Sequence, residues 1–161
     1  MDLRDASEQD LKAILSLNRA WEHYLSPLDL RRLARLHEQA DQHRVVDSDG
    51  EVVAFLLAFR EGCDYDSANY RWFADRYERF LYIDRVVVSG RQQGQGLGRT
   101  LYEDLFSRAR VAGIDRVCCE FDLSPPNPAS QVFHEHLGFE EVGTQHYGNT
   151  GKQVSLRIRQ I

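Results

Sequence analysis

The chain has 161 residues, enough for one domain with a sizeable core, and its 42% apolar and 28% charged residues are globular values. A net charge of −5 argues against generic nucleic-acid binding, which shows a basic excess, and is compatible with a cationic substrate. No apolar run approaches a membrane span, and the opening "MDLRDASEQD" is too acidic and polar for a signal peptide, so no membrane association is expected.

In chain order, "LRDAS" reads as a first strand ending at Ser7. Ser7 and Asp10 then form an S-x-x-D helix start, followed by Leu11, Ile14, Leu15 and Asn18 at helical spacing. Ser26-Pro27-Leu28-Asp29 repeats that signal with proline in the first helical position, and predicts a second helix to about Ala40. Two apolar runs around Asp49-Gly50 predict a hairpin. Residues 61–79 are rich in aromatic residues but lack clear periodicity, so an irregular segment with a helical turn near its end is expected. "FLYIDRVVV" is the next strand, with Tyr82, Asp84, Val86 and Val88 on one face.

After "SGRQQGQGLGR", Leu97, Leu101, Leu105 and Ala109 recur at i+4 in an amphipathic helix ending near Gly113. "DRVCCEFDL" reads as a buried strand, "PASQVFHEHL" as a short helix stopping at Gly138, and the last two apolar runs as a hairpin turning through Gly148-Asn149-Thr150-Gly151. Together these predict a single mixed α/β domain over residues 1–161, with a mostly antiparallel sheet of about seven strands and about four helices. Cys63, Cys118 and Cys119 lack CxxC spacing, so buried thiols in a reducing cytoplasm are expected rather than disulfides or a nucleophile.

Gly94, Gly96 and Gly98 lie where a strand hands over to a helix. Tight glycines there expose backbone N–H groups at a helix N-terminus, which suits phosphate. A nucleotide-triphosphate loop would need lysine after its last glycine, and Gly98 is followed by Arg99-Thr100. A dinucleotide fingerprint would need G-x-G-x-x-G, and the spacing is G-x-G-x-G.

"VVVSGRQQGQGLGRTLYEDLFSRARVAG" resembles the acyl-CoA-binding motif of the GNAT N-acetyltransferase superfamily, [Q/R]-x-x-G-x-[G/A], at Gln93, Gly96 and Gly98. "NPASQVFHEHLGFEEVG" resembles that family's second motif at Asn127, Ser130, Phe133, Gly138 and Phe139. The order of elements is similar to the GNAT fold from end to end. The resemblance implies that a pantetheine arm pairs with the backbone of Val86 and Val88, the Val88 N–H polarising the thioester carbonyl. It implies a pyrophosphate on the N–H groups of Gly94, Gln95, Gly96, Leu97, Gly98 and Arg99, with Gln93 beside it. The Arg99 side chain adds charge there or is simply a solvated arginine of a first helical turn.

Asn127, with Ser130 in the same motif, would hold the pantetheine; a helix cap is the other role for this asparagine. His134 stands where many relatives have a tyrosine that protonates the departing thiolate, and a histidine N–H can do the same. Asp84 is the first candidate base and Glu120 the second, with an Asp84–Arg85 ion pair as the structural alternative. His136 lies two residues from His134 and faces elsewhere on a helix, so no metal is expected.

Similar proteins build their acceptor pocket around Trp21, Glu22 and Tyr24 and around the aromatic segment, where Tyr70, Trp72 and Tyr77 could hold a cationic amine or could form a local apolar cluster. The function so implied is acetyl-CoA-dependent N-acetyl transfer to a small-molecule or peptide amine, in a chain for which a homodimer is compatible. The alternative is a non-catalytic acyl-CoA-binding module.

Overall fold

A computed structural model describes residues 1–148 and 151–161 of the chain. Strand β1 (Asp2–Asp5) leads through a 3-10 turn at Glu8–Asp10 into α1 (Leu11–Arg19). Asp10 makes that turn, because its carboxylate accepts the Ser7 N–H at 2.7 Å and a two-pronged pair from Arg4 at 2.8 and 3.0 Å. The Arg4 hydrogen bonds hold the Asp10 carboxyl down at about 2.

Helix α2 (Leu30–Gln39) begins later than the Ser26-Pro27 signal predicts. Its cap is Asp29, whose Oδ1 accepts the Arg32 N–H at 2.7 Å. Ser26 is engaged elsewhere, its carbonyl and hydroxyl accepting from the Arg85 guanidinium at 3.1 and 2.9 Å.

Strands β2 (Gln42–Ser48) and β3 (Glu51–Arg60) form the expected hairpin, with Asp49 at φ 53° and Gly50 at φ 88°. Within the aromatic segment lies α3 (Ala68–Ala74), a two-turn helix in place of an irregular stretch. Ser67 caps it by accepting the Tyr70 N–H at 3.3 Å, and Tyr70 and Phe73 share its buried face. Two turns are too few to show a period in the sequence, so the expected four helices become five among the described residues.

The rest follows in order: β4 (Leu81–Val88), a 3-10 turn at Gly90–Gln92, α4 (Leu97–Val111), β5 (Arg116–Ser124), α5 (Pro128–His136), β6 (Glu140–Tyr147) and β7 (Lys152–Gln160). The predicted last turn includes Asn149 and Thr150, which lie outside the described residues. The seven strands form one sheet in the order β1-β2-β3-β4-β5-β7-β6. The ladders β1–β2, β2–β3, β5–β7 and β6–β7 are antiparallel, whereas β4 meets β5 in parallel at Leu81–Val117 and Tyr82–Cys118.

Contacts cluster into two units, Met1–Phe59 with Ile83–Arg108, and Arg60–Tyr82 with Ala109–Ile161. Ile14, Leu33, Leu36, Phe55, Leu101 and Leu105 are buried in the first, and Phe73, Phe80, Tyr82, Phe121 and Leu156 in the second. Among the described residues no helix is long and apolar enough to cross a membrane.

In the first unit His43 on β2 is buried, and its Nδ1 lies 2.8 Å from Nδ1 of His37 on α2. One nitrogen must donate and the other accept, so at most one of the two rings is protonated. Burial and, secondarily, the charge on His37 push His43 down to about 4, against the opposing pull of Asp10. A histidine depressed in the folded state contributes stability that is complete above its unfolded value and is lost as pH falls toward the folded one. From about 6.5 to about 4 that amounts to about 3 kcal/mol. Urea unfolding should therefore show a midpoint that falls between pH 6.5 and 4.5, and His43→Phe should flatten that fall. Equal slopes for the two proteins would reject the assignment.

Candidate active site

The end of β4 has a defined direction. Ser89 donates its N–H to the Val53 carbonyl of β3 at 2.8 Å. Neighbouring residues of a strand send their amide groups to opposite edges, so the N–H and C=O of Val88, and of Val86 two before it, leave from the edge away from β3. Gln93 reaches back and donates Nε2 to the Val88 carbonyl at 3.0 Å, tying the loop to the strand end.

The loop then turns through Gly94 at φ 80° and Gly96 at φ 78°. A Cβ on either would meet nothing within 4 Å, so these glycines answer to backbone conformation rather than to crowding. Gly98 already lies in the first turn of α4. Thr100 returns both its N–H and its hydroxyl to the Gly96 carbonyl at 3.0 Å, closing the turn. The N–H groups of Leu97, Gly98 and Arg99 are those that helix geometry leaves without intrahelical acceptors. The Arg99 side chain pairs with Glu103 at 2.8 Å on the exposed surface, and Gln95 is exposed.

In the second unit Asn127 caps α5, its Oδ1 accepting the Ser130 N–H at 3.3 Å, with Pro128 in the first turn. His134 on this helix is 5% exposed, stacked on Phe121 and edge-on to Phe133 and Phe139. Its Nδ1 lies 2.7 Å from the Ser130 carbonyl, which can only accept, so Nδ1 carries the proton and Nε2 is the lone-pair nitrogen of the neutral ring. Burial pushes the imidazole below its ordinary value, more than the Ser130 hydrogen bond raises it, and Arg157 pushes the same way as burial. Burial and Arg157 therefore favour the neutral ring here.

One face of β5, β7 and β6 carries a denser set of polar groups. Glu120 stands opposite Leu156, which stands opposite Gly143, and the next row runs Asp122, Val154, Gln145. The Tyr82 hydroxyl lies 2.7 and 2.8 Å from the two Glu120 oxygens. Asn69 of α3 donates Nδ2 to Glu120 at 3.2 Å and accepts from Gln145 Nε2 at 3.1 Å. Asp122 points an oxygen into the interior without a hydrogen-bond partner, and burial raises its carboxyl against the pull of Lys152.

The first candidate base is placed differently. Asp84 accepts from Arg85 Nε at 2.6 Å with both side chains almost wholly buried, the ion pair weighed in the sequence. The aromatic segment is also put to structural use. Tyr70 donates to the Arg60 carbonyl at 2.6 Å, while Arg76 lies 3.7 Å over Trp72 and Arg116 4.2 Å over Tyr77. Asn69 and Gln145 belong to no motif and were missed, since only the packing of α3 on β6 brings them to Glu120. Cys118 and Cys119 are buried free thiols raised by burial, and among the described residues no group of three or more side chains could hold a metal.

The same architecture recurs in solved structures. Ard1 from Thermoplasma volcanium superposes with TM-score 0.81 at 16% identity over 99% of this chain and 97% of that one. The ribosomal-protein-alanine N-acetyltransferase from Brucella melitensis gives 0.75 at 24% identity over 100% of both chains. The acetyltransferase yncA from Salmonella typhimurium, described as putative and solved with its cofactor acetyl-CoA, gives 0.74 at 23% over 99% of this chain and 93% of that one. Identities at this level show a shared fold. The model of the acetyltransferase (GNAT) family matches residues 8–139, most of the chain, and this protein belongs to that family.

Proposed function

We propose that the chain is an acetyl-CoA-dependent N-acetyltransferase acting on a primary amine by direct attack. The observation that carries the reading is the end of β4. Val86 and Val88 send amide groups off the edge away from β3, and a left-handed glycine turn follows into the start of α4. That arrangement fits an extended amide-bearing arm followed by a pyrophosphate. Val86 and Val88 would hold the arm, the N–H groups from Gly94 through Gln95, Gly96, Leu97 and Gly98 to Arg99 the phosphates, and Gln93 would keep the loop folded against the strand. Bound acetyl-CoA supplies an acyl group already activated as a thioester. The Brucella protein's name, an N-acetyltransferase of ribosomal-protein alanine, supports an amine acceptor.

The Val88 N–H donates to the carbonyl oxygen as negative charge develops there. Glu120 accepts the proton that the attacking amine must shed, with the Tyr82 hydroxyl and Asn69 fixing its carboxylate. Glu120 replaces Asp84 in this role because Asp84 is committed to Arg85. The free amine attacks and the thiolate leaves, so no acyl-enzyme is required, in keeping with buried Cys118 and Cys119. His134, neutral with Nδ1 given to a carbonyl, is a poor proton donor to that thiolate.

The state of His134 also favours a second reading, a module that binds acyl-CoA without turnover. A panel of amines with thiol detection separates the two, since coenzyme binding without thiol release from any amine would establish the module. For the enzyme, Glu120→Gln should lower kcat/KM at least about 100-fold, and His134→Phe should leave kcat within about threefold. A loss of about 100-fold or more in His134→Phe with intact donor binding would restore histidine as the acid. Gly96→Ala forces a side chain into left-handed backbone, about 1–2 kcal/mol, so calorimetry should show acetyl-CoA binding about tenfold weaker.

A further inference from the structure

We propose that Asn69 is a positioning residue for the Glu120 carboxylate, seated there by Trp72 in a notch that Gly143 leaves in β6. The inference rests on Glu120 as the acceptor of the amine proton.

Asn69 and Trp72 are three residues apart on α3 and so lie on one side of the helix. Trp72 comes down on Gly143, where a Cβ would stand 2.5 Å from Cζ2 and 3.1 Å from Cη2 of the indole. No real side chain fits there without displacing the ring. Gly143 is at an ordinary φ, and the β6 ladder shifts register between Glu141 and Gly143. The glycine is therefore required by the close approach of α3.

With the ring in the notch, Asn69 is 5% exposed and spans the two rows of the face. It donates to Glu120 in one row and accepts from Gln145 in the next. The ionised carboxylate can only accept, so the Asn69 Nδ2 faces it, and Gln145 Nε2 donates to the Asn69 Oδ1 on the other side. Tyr82 supplies a second donor to the same carboxylate. Hydrogen bonds given to a carboxylate favour its charged form, and two donors from different elements also limit its rotation. Asn69 thus sets both the direction of the receiving lone pair and the pH at which it becomes available.

The test follows the Glu120 carboxyl by carbon-detected NMR alongside the pH profile of kcat/KM. Asn69→Ala should raise the carboxyl midpoint and the acidic limb of the profile by about one unit. Gly143→Ala, which changes neither Asn69 nor Tyr82, should shift both in the same direction by dislodging Trp72. Donor affinity should change less than about twofold in either variant. Far-UV circular dichroism establishes that each variant is folded. An unchanged carboxyl midpoint in folded Asn69→Ala overturns the proposal, as does a shift there with none in folded Gly143→Ala, which removes the seat. If wild type turns over and Glu120→Gln matches it, the base assignment fails, and the NMR midpoint still decides whether Asn69 controls the carboxylate.

Discussion

A guanidinium that is 5% exposed must have its hydrogen bonds and its charge answered inside the protein, and Arg85 imposes that demand in the middle of β4. It is met by the Asp84 carboxylate, the Asn18 side-chain carbonyl, and the carbonyl and hydroxyl of Ser26. Each partner is thereby withdrawn from another use. Asp84 is held in an ion pair, Ser26 does not cap a helix, and the chain after α1 is held at Ser26 until Asp29 can start α2. One buried cation thus ties α1 and the connection after it to the strand that carries Val86 and Val88.

Within the second unit the polar groups that could handle a proton gather on a single sheet face. Pairing across β5, β7 and β6 places Glu120 and Asp122 in successive rows, because residues two apart on a strand share a face. Helix α3 lies on that face through Trp72, so a segment with little pattern of its own delivers the amide that meets Glu120. The aromatic rings around it are engaged by the chain's own arginines and carbonyls. These contacts help to seat α3 on the sheet.

What could be read in the residues was what is encoded locally. The Asp49-Gly50 hairpin, the glycine turn into α4 and the Asn127-Pro128 helix start each depend on backbone preferences of a few neighbouring residues. The strands show because alternation or a sustained apolar run is visible over eight to ten residues, as in β3 and β4. Helix α3 did not show, because seven residues hold too little of a period. The choice between Asp84 and Glu120 was equally hidden: both are strand carboxylates in apolar runs, and the partner deciding each lies either next door, Arg85, or dozens of residues away, Tyr82 and Asn69. Gly143 reads as an ordinary strand glycine until the indole above it is seen.

The surroundings of the ionisable groups also divide the work of the proposed transfer. Glu120 receives hydrogen bonds that favour its anion, whereas Asp122, two residues on, is raised by burial with one oxygen unanswered. Two carboxyls on one face thus sit in different surroundings, one hydrogen-bonded by Tyr82 and Asn69 and the other raised by burial. In the proposed transfer a charged amine would be attracted by the anion and would have to lose a proton before attack, and the same anion would receive that proton. Burial pushes the His134 imidazole below its ordinary value, and the ring offers its Nδ1–H to the Ser130 carbonyl of its own helix. The proposed transfer would therefore be asymmetric: acceptor activation would rest on a carboxylate held by Tyr82 and Asn69, and the coenzyme would leave as a thiolate without a dedicated acid.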